Sequence, residues 1–152
     1  MGQMSAEQAL RALEPLVGEW TLEAAGPDGQ AWPGKGLANF RWHPSQAYLV
    51  QHVGIDVPGA LDSTSIIGCD AANGTYVQLY SDERGVCRIY TMHIDSKQWI
   101  LQRQGEPFAQ RFIGTISDDA HTISGRWEKA ENGLEFTVDF YLTYRKMAPP
   151  EA

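Results

Sequence analysis

From Gly18 onward the chain never runs far without a residue that breaks regular structure. The breaks are Pro27-Asp28-Gly29, His43-Pro44-Ser45, Pro58-Gly59, Asn73-Gly74, Arg84-Gly85, Asp118-Asp119 and Asn132-Gly133, each with turn chemistry. The segments between them are short and rich in strand formers. They read as ten strands: 18–25, 36–43, 46–56, 63–70, 75–81, 86–94, 98–104, 108–117, 121–129 and 134–146. Asn73-Gly74 and Asn132-Gly133 are the strongest hairpin signals, because both residue types tolerate positive φ. Short turns between successive strands make the sheet antiparallel. Ten such strands with one helix predict an all-β fold, a closed or nearly closed antiparallel barrel of about ten strands with a short N-terminal helix.

The helix belongs to the first 17 residues. Leu10, Leu13, Leu16 and Val17 recur at three- and four-residue spacing, and Ser5 with Gln8 fits a capping box. Pro15 ends or kinks the helix, because its ring clashes with the preceding turn. The expected organisation is one domain, 1–152, with a helix over 1–17 plugging one end, a barrel over 18–146 and a frayed tail over 147–152.

The 152 residues suit a single domain that buries about two-thirds of its unfolded surface. With 43% apolar and 20% charged residues the balance is globular. A net charge of -7 argues against nucleic acid as a partner. No apolar run approaches the ~20 residues of a membrane span, and no basic segment leads into an apolar one at the N-terminus. The expectation is a cytoplasmic monomer or homodimer with no membrane partner. Cys69 and Cys87 do not make a disulfide framework.

Alternation assigns faces. In the last strand Leu134, Phe136, Val138, Phe140, Leu142 and Tyr144 alternate with polar residues, as on a half-buried strand. If the hairpin at Asp95 to Gln98 closes about Ser96-Lys97, Ile94 faces Trp99, Met92 faces Leu101, and Tyr90 faces Arg103. A one-residue slip would set Trp99 against His93 and mix the faces, so the first register is expected. It puts Arg103 inside beside Tyr90, with Arg88 on the same parity.

Leu13-Glu14-Pro15-Leu16-Val17-Gly18-Glu19-Trp20 resembles the opening of the calycin superfamily, which contains the lipocalins and fatty-acid-binding proteins. There a short helix leads into a strand carrying Gly-x-Trp, and an Arg or Lys near the end of the last strand packs across the Trp. Gly18 and Trp20 match the first element, and Arg145 is the match to the second. The wider pattern of Ile66-Ile67-Gly68-Cys69-Asp70, Tyr76, Ser81-Asp82, Gly85 and Thr143-Tyr144-Arg145 is similar to an uncharacterised bacterial lipocalin-like family. The resemblance implies a ligand-holding barrel with Trp20 buried against Arg145. Residues 26–35 are too short for the two-helix lid of fatty-acid-binding proteins, and the chain is too short for a lipocalin's C-terminal helix. Haem-binding nitrobindin-like barrels share the strand count, but their axial histidine motif has no match here.

No residue pattern announces catalysis. His43 and His121 read as turn residues, and His52 and His93 fall on outward parity, without the spacing of a zinc site. There is no nucleophile motif and no phosphate-cradling loop entering a helix. Gly29, Pro33, Gly34 and Gly36 read as a mobile loop over the barrel mouth. What stands out are polar residues on apolar parity: Gln51, Arg88 and Arg103. An inward guanidinium needs an acidic partner, water or a ligand anion. Together with Tyr90, these residues are candidate ligand contacts. Trp42, Trp99, Phe112, Trp127 and Phe140 are candidate walls. The expected function is binding of a small, mostly hydrophobic or amphipathic molecule, with or without an anionic head, and with no cofactor. The alternatives are an enzyme of cyclase, isomerase or hydrolase type using the same cavity, and a haem-binding barrel. His93 or Tyr80 turned inward would favour the enzyme.

Overall fold

A computed structural model describes residues 5–57, 59–105, 107–132 and 134–148. The strands are β1 Gly18–Ala25, β2 Gly36–Trp42, β3 Leu49–Ile55, β4 Ser63–Asp70 and β5 Thr75–Asp82. They continue as β6 Cys87–Ile94, β7 Gln98–Arg103, β8 Ala109–Ile116, β9 Thr122–Ala130 and β10 Thr137–Lys146. Each pairs antiparallel with its sequence neighbours and β1 pairs with β10, so the fold is all-β and the barrel is closed.

The single α-helix among the described residues, α1, spans Ala6–Arg11 and starts at the Ser5–Gln8 capping box. It is shorter than expected, because Pro15 sits in a separate 3-10 turn over Glu14–Leu16. Ala9, Leu13 and Leu16 are buried and stopper one end of the barrel. Three bonds fasten this plug: the Tyr76 hydroxyl donates to Ala9 O at 2.8 Å, Trp20 Nε1 to Leu16 O at 2.9 Å, and Trp42 Nε1 to a Glu14 carboxylate oxygen at 3.1 Å.

The hairpin between β6 and β7 has the register read from its apolar faces. Ile94 pairs with Trp99 and Met92 with Leu101, and the ladder ends at Thr91–Gln102, one pair short of Tyr90–Arg103. The Asp95 carboxylate accepts from the backbone of Lys97 and Gln98 at 2.8 Å and fixes the turn. At Asn73-Gly74 the turn is a 3-10 segment over Ala71–Asn73, and only Gly74 takes positive φ, at 66°.

Three expectations need correction. The last strand begins at Thr137 and carries an irregularity between Val138 and Phe140, which pair with Glu128 and Trp127. Asp139 is therefore an inserted residue, and the alternation before it is out of phase. Leu134 is exposed, and Phe136 packs outside under the Arg111 guanidinium at 4.0 Å. Gly36 is not in a loop but in β2, where an added Cβ would lie 2.8 Å from Leu22 Cβ. Trp20 is fully buried, but the cation over its ring is Lys146, with Nζ 5.3 Å from the ring centroid. Lys146 pairs with Trp20 across β1 and β10, whereas Arg145 points outward and meets Glu23. Gly133, Pro58 and residues 149–152, on which parts of the turn and tail expectations rest, lie outside the described residues.

Candidate functional site

The plug closes the end formed by the start of β1 and the end of β10, and the cavity opens toward the other end. Its volume is about 520 Å³. Below it lies an aromatic floor: Trp99 meets Phe40, Phe112 and Tyr144 with ring centroids 5.2–5.9 Å apart, and Phe112 meets Trp127 at 5.3 Å. These rings are inward residues of neighbouring strands, and their edge-to-face and tilted contacts fill the barrel section beneath the cavity.

Seven of the nine candidate contacts line this space: Gln51, Arg88, Tyr90, Trp99, Phe112, Trp127 and Phe140. The other two do not. Trp42 has inward parity but sits at the plugged end, where its indole holds Glu14. Arg103 stands at the rim, and its Nη1 donates to Phe108 O at 3.0 Å, tying down the β7–β8 loop. Arg88 is thus the only charged side chain lining the cavity among the described residues.

Arg88 and Tyr90 share an acceptor. Arg88 Nη1 donates to Gln110 Oε1 at 3.1 Å and the Tyr90 hydroxyl donates to the same oxygen at 3.0 Å. Burial pushes the Tyr90 phenol up, against the pull of the two nearby guanidinium groups of Arg88 and Arg103. One carbonyl oxygen thereby neutralises part of the donor capacity of both groups, and a ligand carboxylate could take over that place.

Deeper on the same side, Gln51, Ser65 and Gln78 are buried, each at 5% exposure or less. Gln78 Nε2 donates to Gln51 Oε1 at 3.4 Å and to Ser65 Oγ at 3.3 Å. Gln78 Oε1 has no partner among the described residues. A buried amide oxygen left so costs about 1–3 kcal/mol. Burial also pushes the Tyr144 phenol up to about 12, with the Gln51 amide acting in the opposite direction. Sequence reasoning missed Gln78, Ser65 and Gln110, although each has the polar-on-apolar-parity signature that singled out Gln51.

Tyr80 faces the cavity. Its hydroxyl donates to the Asp82 carboxylate at 2.7 Å, and burial with that bond pushes its pKa up to about 12. Arg84 binds the same carboxylate at 2.7 Å and, with Tyr80, holds Asp82 well below the usual carboxylate range. Tyr80 thus stays protonated at neutral pH with its proton already committed. The four histidines stand outside the cavity, and His52 and His93 are exposed beside Asp62 and Asp95. Cys69 and Cys87 are free thiols. No group of three or more potential metal ligands occurs among the described residues, and no helix there is long and apolar enough to cross a membrane.

A closed ten-stranded antiparallel barrel with an N-terminal plug fits a calycin-like fold. No family model matches the chain, and no curated protein matches it. Among solved structures the chain is similar to Rv2717c from M. tuberculosis. The TM-score is 0.62 and the identity 16%, over 97% of this chain and 100% of that one. At that identity the likeness concerns the fold.

Proposed function

We propose that this chain is a lipocalin-like binding protein of the cytoplasm that holds one small, mostly apolar molecule with an anionic head. The observation that carries the reading is the cavity of about 520 Å³, walled largely by apolar side chains and holding, among the described residues, a single charged one, Arg88. That volume lies within the usual range of small-molecule sites. A ligand burying about 200 Å² of apolar surface gains about 5 kcal/mol before association costs. Arg88, with Tyr90 beside it, supplies the donors for a carboxylate head. Arg103, the anchor expected from the sequence, holds the Phe108 carbonyl instead, so the anchoring role passes one strand over. Binding is favoured over catalysis because Tyr80, the expected acid–base candidate that faces the cavity, keeps its proton and holds it in a hydrogen bond to Asp82. A histidine-ligated haem has no support, since none of the four histidines lines the cavity.

The test is calorimetric titration of 2-naphthoate and methyl 2-naphthoate into wild type and Arg88→Met. Wild type should prefer the acid by about tenfold or more, the equivalent of one charge-assisted hydrogen bond. Arg88→Met should bind both alike. Equal affinities in wild type would refute the anionic head, and no binding of either compound would refute the cavity reading. Native mass spectrometry of freshly purified protein would identify a co-purified ligand.

A further inference from the structure

The cavity wall is polar on one side and apolar on the other. Gln51, Ser65 and Gln78 take inward positions on three consecutive strands, β3 to β5, with Gln51 opposite Ser65 in register. The facing wall, from β9 through β10 to β1, presents Trp127, Phe140, Leu142 and Leu22. Side chains needed only to fill space would be aliphatic on both sides. Gln78 is 5% exposed, its amino group is held only by two long bonds of 3.3 and 3.4 Å, and its carbonyl oxygen has no donor among the described residues. Such an amide is incomplete, and it lines a space large enough to hold the missing partner.

We infer that the ligand carries an uncharged hydrogen-bond donor, a hydroxyl or amide N–H, that it delivers to the side-chain oxygen of Gln78. The inference rests on the cavity being the ligand site, as proposed above, and adds a recognition point separate from Arg88. Gln78 pairs directly with Tyr90 across β5 and β6, so the donor and the anionic head leave the ligand from the same edge. A straight-chain fatty acid, polar only at one tip, does not meet both points. A ring compound with polar substituents along one edge does, its apolar edge lying against Trp127 and Leu142.

The probes are 2-naphthol and 2-methoxynaphthalene, which share a ring system and an oxygen and differ in the donor. Titrated calorimetrically into the full chain, wild type should bind the naphthol about fivefold to tenfold more tightly. Gln78→Met should bring the two within about twofold while still binding the ether, and Arg88→Met should keep the wild-type preference. Equal affinities in wild type overturn the inference, and that comparison needs no variant to fold. A preference that survives Gln78→Met, or is lost in Arg88→Met, overturns the assignment to Gln78. Failure of both compounds to bind overturns the cavity reading itself, an outcome distinct from the other two.

Discussion

Gly125 should be among the least replaceable residues of the barrel, and the reason is an aromatic ring rather than a turn. Gly114 and Gly125 pair across β8 and β9, and the Phe112 ring lies against both. A methyl group on Gly125 would stand 2.4 Å from Phe112 Cε1 and Cζ and 3.2 Å from Leu142 O. Non-bonded carbons rest about 3.5–4.0 Å apart, so the ring would have to retreat by about 1 Å or more. It cannot retreat sideways, because Trp99 and Trp127 flank it with centroids 5.2 and 5.3 Å away. The open direction is the cavity. Overpacking of this kind costs about 1–3 kcal/mol, and the lower backbone entropy of alanine returns about 0.5–1 kcal/mol, so Gly125→Ala should destabilise by about 0.5–2 kcal/mol. Urea denaturation followed by tryptophan fluorescence measures this, and a cycle with Phe112→Leu isolates its origin. In the Phe112→Leu background the same substitution should cost about 1 kcal/mol less, since the ring it strikes is gone. An equal cost in both backgrounds would refute the argument that the ring sets the glycine requirement.

Two further substitutions test the placements at the barrel ends. Lys146→Met should cost about 1 kcal/mol, through the lost contact over Trp20 and the lost 3.2 Å bond to Pro15 O, whereas Arg145→Met should stay within about 0.5 kcal/mol because its pair with Glu23 is exposed; the reverse order in urea midpoints would return the role to Arg145. Asp82 is held well below the usual carboxylate range by Arg84 and Tyr80, so its stabilising contribution is full above pH about 4 and is lost progressively as the pH falls from there toward the depressed native value. Asp82→Asn should therefore lower the urea midpoint at pH 7 and flatten its decline toward pH 3, and parallel declines in the two proteins would contradict the linkage.

The strand count and the β6–β7 register were legible because a wrong answer there would bury polar groups. With Ile94, Met92, Trp99 and Leu101 on one side, a one-residue slip exchanges every one of them with a polar neighbour, and the chain has a single good solution. The start of the last strand lacked that property. Phe136 and Val138 continue the alternation on paper, but the extra residue at Asp139 reverses the faces without changing the polarity pattern, and only the partner strand reveals it. Lys146 is a different kind of miss. Tyr144 marks the inner parity of β10 and Lys146 shares it, so the alternation placed the lysine correctly while the family likeness drew attention to Arg145. Trp42 and Arg103 show what parity omits: both have inward parity, yet depth along the barrel decides whether such a residue meets the cavity, the plug or the rim.

The same argument explains why one half of the cavity can be polar at all. An isolated inward glutamine would be a liability, because its amide would face apolar neighbours without partners. Antiparallel register removes most of that penalty by setting Gln51 against Ser65 and bringing Gln78 within bonding distance of both, and by letting Gln110 serve Arg88 and Tyr90 together. These residues lie on strands adjacent in sequence, so the network is confined to the run β3 to β8 apart from the Tyr144 phenol of β10, which meets the Gln51 amide. β9, β10 and β1 remain free to carry the apolar wall of Trp127, Phe140, Leu142 and Leu22. An amphipathic cavity thus follows from grouping the inward polar residues on consecutive strands. The unpartnered oxygen of Gln78 is the point where this otherwise self-sufficient network stops short of closing.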